Sequence, residues 1–345
     1  MTVPVSSAIA RILDANLNRA REGLRAVEEW CRFGLDDAEL ANQCKQIRQT
    51  LAHWHSPSWR LARNTPEDVG TQLTHPQEEK RASTQALLLA NLCRVQEALR
   101  VLEEYSKLEQ LAMGSQCKQL RYQVYTLESR LTQHSRLQRL KQAPLYLVTS
   151  PQPNLVKIVE AALLGGLSLV QYRDKETNDN LRFDRAKQLQ ALCEKHNALF
   201  LVNDRVDLAL AVNADGVHLG QQDLPISVAR TLLGADKIIG RSTTNPEEMN
   251  KALQEGADYI GVGPVYVTPT KAGKTPAGLD YVHYAATHCP LPWFAIGGID
   301  GQNLSEVASA GAIQVAIVRA VMEADDPQQS TQQLLAKMSP KSTSS

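Results

Sequence analysis

Basic and polar side chains in the second half of the chain follow segments predicted to be strands. Arg173 and Lys175 stand two residues apart at the end of one apolar run, a spacing that directs extended residues to the same side. A guanidinium and an ammonium group placed in this way bind a polyanion such as a diphosphate. Asn203, Ser242 and the segment from Thr268 to Lys271 follow other apolar runs in the same manner. Their shared position indicates a single binding site.

Two carboxylates follow neighbouring predicted strands. Asp204 ends the run LFLVND and Asp223 comes shortly after GVHLG, so that both side chains can converge on one hard cation. Two carboxylates, completed by water and substrate phosphate oxygens, form the usual Mg²⁺ site. A salt bridge from Asp204 to Arg205, or a helix cap at Asp204, is the alternative that the sequence leaves open.

Two segments are suited to phosphate groups. GPVYVTPTKAGK, residues 263–274, offers hydroxyls, backbone amides and Lys271, although an ordinary surface loop could have the same composition. AIGGI, residues 295–299, precedes a predicted helix and can present backbone N–H groups where barrels commonly bind phosphate. Two anion sites in one mouth predict two phosphorylated substrates or one bisphosphate.

The elements that position these residues predict a (β/α)₈ barrel. Eight apolar runs alternate with helical segments, at 145–150, 169–173, 199–204, 216–220, 238–242, 259–265, 293–298 and 315–318. A barrel has its active site at the C-terminal ends of its strands, where the polar residues stand. A doubly wound open sheet is the rival fold, but no GxGxxG motif follows the first strand.

The first part of the chain, residues 1–142, is predicted to be an all-α domain with an internal repeat. ANLNRAREGLRAVEEW at 15–30 aligns with ANLCRVQEALRVLEEY at 90–105. Their charged residues could line a cleft, but ion pairs within each helix, Arg25–Glu29 and Arg100–Glu104, are the simpler interpretation. Pro144 marks the boundary to a barrel domain at 143–338, and residues 339–345 are predicted to be a disordered tail.

His53 and His55 have no third metal ligand in view and are predicted to be surface residues. The six cysteines show no CxxC pair or zinc spacing, which indicates free thiols in a reducing cytoplasm.

Composition places the chain among globular proteins of two domains. It has 345 residues, of which 43% are hydrophobic, and 37 basic residues balance 37 acidic ones. Nothing therefore favours a nucleic-acid or membrane partner. No apolar stretch approaches the roughly 18 residues of a membrane helix, and the N-terminus lacks the pattern of a signal peptide. We expect a cytoplasmic enzyme acting on small molecules, and homo-oligomerisation is compatible with this sequence.

Six motifs in order give the second half a specific resemblance to the thiamine-phosphate synthase family. They are QYRDK (171–175), VNDRVDLAL (202–210), GVHLGQQDLP (216–225), GRSTT (240–244), GPVYVTPTKAGK (263–274) and AIGGI (295–299). The family couples 4-amino-2-methyl-5-(diphosphooxymethyl)pyrimidine with hydroxyethylthiazole phosphate, or its carboxylated form, and releases pyrophosphate with Mg²⁺. The resemblance implies a transferase of thiamine biosynthesis, with dissociative displacement at the pyrimidine methylene.

The resemblance also implies individual roles. The pyrimidine diphosphate would contact Gln171, Tyr172, Arg173, Asp174, Lys175, Asn203, Ser242 and Lys271. The thiazole phosphate would contact Thr268, Pro269, Thr270 and Gly298, and one Mg²⁺ per subunit would be held by Asp204 and Asp223. Arg173, Lys175 and Lys271 would be catalytic, absorbing the charge that develops on pyrophosphate. The chain departs from many members at Arg319, where they carry Ser, and at Thr244, where they carry His.

Two alternatives remain for the barrel: a thiazole tautomerase without diphosphate chemistry, and a non-catalytic phosphate-binding scaffold. The combination of Arg173, Lys175, Asp204 and Asp223 argues against both. The first half resembles, through NLxRxxEGLRxxEEWxRF at 16–33, the helical extension that precedes the synthase in cyanobacteria. The family of this helical extension is sometimes named as a hydroxymethylpyrimidine phosphate kinase. Because no Walker motif is present, kinase, regulatory and oligomerisation roles all stay open.

Overall fold

The computed structural model describes residues 6–63, 81, 83–108, 110–268 and 275–338. The chain divides into two compact units, residues 1–131 and 132–345, and each is described by itself. The predicted tail at 339–345 lies outside the described residues. Within the described ranges, no helix combines the length and apolarity needed to cross a membrane.

The first unit is helical, as the sequence predicts. Its helices are α1 Ser7–Phe33, α2 Ala38–Ala52, α3 Pro57–Leu61, α4 Thr84–Ser106 and the first part of α5 Leu111–Gln142. The two copies of the repeat lie in α1 and α4, and their apolar stripes are buried in one core. Gly23 permits this packing, because a Cβ there would stand 2.7 Å from the Val95 side chain.

The charged residues of the repeat form ion pairs rather than an open cleft. Arg25 pairs with Glu29 at 2.5 Å and Arg100 with Glu104 at 3.1 Å. The neighbouring carboxylates, which are buried, bind an arginine of the following helix: Glu28 pairs with Arg48 at 2.9 Å, and Glu103 pairs with Arg121 at 3.1 Å. Each copy is thus one helix of a hairpin tied by a buried ion pair, which supports the simpler interpretation.

The second unit is a closed barrel of eight parallel strands, which confirms the predicted fold and excludes the open sheet. Its strands are β1 Leu145–Val148, β2 Leu169–Tyr172, β3 Leu199–Asn203, β4 Gly216–Leu219, β5 Ile238–Thr243, β6 Tyr259–Val262, β7 Trp293–Ile296 and β8 Val315–Ile317. Pairing of Leu145 with Val315 closes the ring. Most strands end before their predicted limits, so the polar residues beyond them lie in loops.

Helices connect the strands and cover the barrel. They are α6 Leu155–Leu164, α7 Asp179–Lys195, α8 Val206–Ala211, α9 Ile226–Leu233, α10 Pro246–Gln254, α11 Gly278–His288, α12 Leu304–Ser309, α13 Arg319–Met322 and α14 Pro327–Met338. Strand residues alternate between two buried layers: one faces the helices, and the other fills the interior with side chains that include Tyr146, Tyr259 and Phe294.

The last turns of α5 belong to the barrel unit and pack beneath it. Leu140 is fully buried among interior residues of the barrel, and its carbonyl accepts a hydrogen bond from Gln314 at 2.8 Å. Arg136 donates to Asp215 at 2.9 Å. The compact unit therefore begins at Thr132, upstream of the boundary predicted after residue 142. Pro144 follows the end of a helix but does not mark the limit of the barrel's packing.

Candidate active site

A cavity of about 430 Å³ opens where the strands end. Six residues singled out from the sequence line it together: Gln171, Arg173, Asn203, Ser242, Thr268 and Gly298. Four of these come from the ends of β2, β3 and β5, because parallel strands of a barrel all present their C-terminal ends at the same opening. All the described residues that line the wall belong to the second unit.

A buried chain of hydrogen bonds forms the floor of this cavity. The Gln171 amide donates to the hydroxyl of Tyr146, which lies 2.8 Å from the hydroxyl of Tyr259. The imidazole of His218 continues the chain, with Nδ1 2.9 Å from Tyr259 and Nε2 2.9 Å from the Ser242 hydroxyl. These bonds fix the orientation of Gln171 and Ser242, which line the cavity together with Tyr146 and His218.

The sequence analysis missed the three intermediate members of this chain. Burial raises the pKa of Tyr146 and Tyr259, so that both phenols stay neutral at physiological pH. The sequence does contain an indication of them. Tyr146, His218 and Tyr259 carry polar groups inside apolar strands, where a buried polar group requires a hydrogen-bond partner.

The loop between β2 and α7 carries the predicted diphosphate residues, but their side chains diverge. Arg173 lines the cavity, whereas Lys175 extends to Asp204, with Nζ 2.7 Å from Oδ2. Tyr172 and Asp174 are buried outside the cavity wall, and the Tyr172 hydroxyl donates to Asp174 at 3.3 Å. The structure thus places two of the predicted binding residues behind the site.

Asp174 holds this loop in position. Its carboxylate accepts from the backbone N–H groups of Glu176 and Thr177, each at 3.1 Å, and from Arg185 of α7 at 3.1 Å. Burial opposes ionisation of Asp174, but the donors from Thr177, Glu176 and Arg185 lower its pKa overall. The residue therefore remains a carboxylate that ties the neighbours of Arg173 and Lys175 to α7.

Asp204 and Asp223 lie close enough for their carboxyl groups to interact. Asp223 accepts from the Gly220 N–H at 2.6 Å. Burial and the adjacent Asp204 raise the pKa of Asp223. For Asp204, burial is outweighed by the contacts with Asp223 and Lys175, and its pKa is lowered. Arg205 pairs with Asp207 and Asp179 instead of Asp204.

This carboxylate pair fits a divalent cation only in part. In the portion of the chain that the structure describes, no group of three or more His, Cys, Asp or Glu residues could hold a metal. Two close carboxyl groups offer oxygen ligands of the kind that a divalent cation prefers. Asp204 has a φ of 59°, which is rare for a residue with a side chain. The remaining ligands would have to come from water and substrate.

Two glycines that follow β7 shape another part of the cavity wall. Gly297 and Gly298 have φ of 109° and 70°, and a Cβ at Gly298 would lie 2.8 Å from Cβ of Tyr266. The loop after β6 is held against them, because the Tyr266 N–H donates to the Gly297 carbonyl at 2.9 Å. Thr268, Val318 and Arg319 line the same part of the wall. The predicted residues Pro269, Thr270 and Lys271 lie outside the described residues.

Comparison with known proteins shows the family to which the chain belongs. Residues 145–321 match the family described as thiamine monophosphate synthase, and residues 11–130 match the ThiD2 family. A thiamine-phosphate synthase of Synechocystis is 72% identical, covering 96% of this chain and 97% of the relative; that of Nostoc punctiforme is 63% identical, covering 97% and 95%. The solved thiamine phosphate pyrophosphorylase of Pyrococcus furiosus is 37% identical with a TM-score of 0.53, covering 58% of this chain and 97% of that one. The chain belongs to the thiamine monophosphate synthase family.

Proposed function

We propose that the barrel couples 4-amino-2-methyl-5-(diphosphooxymethyl)pyrimidine with hydroxyethylthiazole phosphate, or its carboxylated form, to give thiamine phosphate and pyrophosphate. The observation that carries this proposal is the convergence of six predicted residues on one cavity, among them Gln171, Arg173 and Ser242. Lys175 also contacts Asp204, which interacts with Asp223. Family membership supports the transferase chemistry, and the cavity supports where it takes place.

The pyrimidine ring would lie on the floor of the cavity. The Gln171 amide and the Ser242 hydroxyl offer hydrogen bonds to ring nitrogens and the exocyclic amine. Both are pre-oriented through Tyr146, Tyr259 and His218, so little freedom is lost when the ring binds. Phe294 adds an aromatic surface to the same wall.

The reaction needs stabilisation of a leaving group. The methylene C–O bond breaks and its electron pair leaves with the diphosphate, while the aminopyrimidine donates electrons to the methylene carbon. The thiazole nitrogen then forms the new C–N bond, so no side-chain nucleophile is required. Arg173, Lys175 and Lys271 would stabilise the negative charge on the departing pyrophosphate.

Magnesium would bind between Asp204 and Asp223. When bound, the ion would neutralise charge on the diphosphate oxygens. Lys175 pairs with Asp204 before substrate binds. When the diphosphate binds, the ammonium group of Lys175 can either contact the diphosphate or keep its pair with the carboxylate. The role of the protein is to hold these opposite charges at fixed positions before the substrate arrives.

The thiazole phosphate would bind across the mouth from the diphosphate. Gly297 and Gly298 keep side chains away from the β7 end, which leaves backbone amides accessible to an anion. Thr268 stands beside them, and we assign Pro269 and Thr270 to the same subsite from the sequence alone. Arg319 adds a cation to this wall.

None of the described residues of the first unit lines this cavity, and we propose that this unit is a separate module. Phosphorylation of the pyrimidine monophosphate by ATP, regulation and self-association are its candidate roles. Incubation of the whole chain with ATP and that monophosphate tests the first of these.

The six cysteines form no disulfide, which supports a cytoplasmic location.

The test of the proposed function is pyrophosphate release from the two purified substrates. We expect Ser242→Ala to lower kcat, whereas Ser227→Ala, an exposed serine of α9, should leave it unchanged. Thiazole isomerisation without coupling would identify a tautomerase, and phosphate binding without either reaction would identify a scaffold. Both outcomes would overturn the proposal.

A further inference from the structure

A polar cluster in the first unit lies apart from the coupling cavity. Asp14 and Arg21 are two turns apart on the same face of α1, and His55 lies beyond the end of α2. Arg21 Nη1 is 2.9 Å from His55 Nε2, and Arg63 pairs with Asp14 Oδ2 at 2.6 Å. His55 was predicted to be an ordinary surface residue, but the structure makes it the centre of this cluster.

The histidine has a defined protonation state. Arginine can only donate, so His55 Nε2 accepts from Arg21 and the ring proton resides on Nδ1. That nitrogen is 3.9 Å from Asp14 Oδ1, which is too far for a hydrogen bond. Burial and the charge of Arg21 lower the pKa of His55, in agreement with a neutral ring.

One buried acceptor and one buried donor near this ring lack hydrogen-bond partners among the described residues. Asp14 is 1% exposed, yet no donor from the described part of the chain reaches its Oδ1. Nε of Arg21 is also buried, and no described residue offers it an acceptor. Buried polar atoms without partners are uncommon in folded proteins and call for an explanation. A ligand that brings one donor and one acceptor would satisfy both atoms.

The charges around the ring select an anion. Arg21, Arg60 and Arg63 all act on His55, and Asp14 is the carboxylate that opposes them. A ligand must therefore be negatively charged and still present a hydrogen-bond donor to the buried carboxylate. Phosphate chemistry meets both conditions, because a phosphate can carry a proton at neutral pH and sulfate cannot.

We propose that Asp14, Arg21, His55 and Arg63 form a second small-molecule site, which binds a phosphate group accompanied by a hydrogen-bond donor. The phosphate oxygens accept from Arg21 and from the half-exposed Arg63. The donor, either a P–OH group or an amine or hydroxyl of the same molecule, reaches Asp14 Oδ1. Sulfate would face the carboxylate with lone pairs only, so the site discriminates against it.

This inference does not depend on the coupling reaction. All four residues belong to the first unit, and the cavity of the barrel contains none of them. Variants of the cluster should therefore keep the coupling turnover of the unmodified chain. A loss of coupling in a wild-type assay would count against the barrel proposal and leave the cluster unaffected.

The experiment follows the ring signal of His55 by NMR in the full chain labelled at histidine. The signal is assigned by its loss in His55→Gln, and His218 reports separately on phosphate bound in the barrel. Inorganic phosphate and sulfate are titrated at constant ionic strength. We expect a saturable shift with phosphate, and binding at least about tenfold tighter than sulfate.

Variants show whether the named side chains are responsible. Asp14→Asn supplies an amide that can donate to sulfate, so its preference for phosphate should fall below about threefold. Arg21→Gln should weaken both anions by about tenfold or more, whereas Arg11→Gln, an exposed arginine of the same helix, should change neither. Circular dichroism establishes that each variant is folded, and Arg21→Gln remains decisive if Asp14→Asn does not fold.

A second pair of probes distinguishes free phosphate from an organic phosphate. O-phosphoethanolamine carries its hydrogen-bond donor on an ammonium group. If it binds more tightly than inorganic phosphate, the site is assigned to a phosphorylated amine or alcohol. If it binds more weakly, the site is assigned to phosphate itself. A His55 signal that does not respond to any phosphate, or responds equally to phosphate and sulfate in the unmodified chain, would overturn the proposal.

Discussion

Replacement of Asp174 tests whether the diphosphate residues depend on the loop that carries them. Its side chain is fully buried and accepts from Arg185 and two backbone N–H groups. Breaking a buried ion pair costs about 3–5 kcal/mol, and the partial exposure of Arg185 places Asp174→Ala near the lower limit, at about 3 kcal/mol. Asp174→Asn keeps one acceptor oxygen and should lose less stability.

The same change should weaken binding of one substrate selectively. With its anchor removed, the loop holds Arg173 and Lys175 less firmly, so kcat/KM for the pyrimidine diphosphate should fall about tenfold or more. KM for the thiazole phosphate should stay unchanged, because Gly298 and Thr268 lie in other loops. Urea unfolding gives the stability and pyrophosphate release gives the kinetics. Glu176→Gln, in the same loop and exposed, is the matched control.

A folded Asp174→Ala protein with unchanged KM for the pyrimidine diphosphate would refute this reasoning. Equal rises in KM for both substrates would also contradict it, because they would indicate a general loss of structure.

Three further predictions concern the metal pair, the glycine turn and the unit boundary. Asp223→Asn should raise the Mg²⁺ concentration needed for half-maximal rate. The raised pKa of Asp223 means that protons compete with Mg²⁺ as pH falls, so that this requirement should increase at acid pH in the unmodified chain and change less in the variant. Gly298→Ala should raise KM for the thiazole phosphate and destabilise the fold by about 1–3 kcal/mol, since it forces φ of 70° on a residue with a side chain. A fragment of residues 132–345 should retain coupling, whereas 143–345 should be less stable by about 2–5 kcal/mol because it lacks Leu140.

Each of these has a clear contradicting result. Unchanged Mg²⁺ dependence in Asp223→Asn at every pH would remove that residue from the metal site. Unaltered thiazole kinetics in Gly298→Ala would remove the glycine turn from the phosphate subsite. Equal urea midpoints for the two fragments would show that the end of α5 contributes nothing to the barrel.

The barrel and the members of its cavity could be predicted because both depend on short-range pattern. Each apolar run forms one strand, and a polar residue in its last two positions reaches the shared opening, as with Asn203 of β3 and Ser242 of β5. Alternation also accounts for Tyr172, which lies between two residues of the cavity wall and therefore points to the other side. Tyr172 and Asp174 were assigned to the diphosphate because they belong to the matching motif, without regard to the side on which each residue points.

Features that depend on residues distant in sequence could not be predicted. Pro144 correctly indicates where a helix ends, but the packing of Leu140 and Arg136 under the barrel depends on Gln314 and Asp215, far along the chain. The cluster around His55 is similar, since Asp14 pairs with Arg63 and Arg21 contacts His55, both distant in the sequence. No local spacing shows such contacts.

Whether this cavity performs the coupling is decided by following both products formed from the two purified substrates with Mg²⁺. We expect thiamine phosphate and pyrophosphate in equal amounts, and loss of both when Arg173 is replaced by Ala in a folded chain. Undiminished product formation by Arg173→Ala, or no product from the unmodified protein under the same conditions, would contradict this expectation.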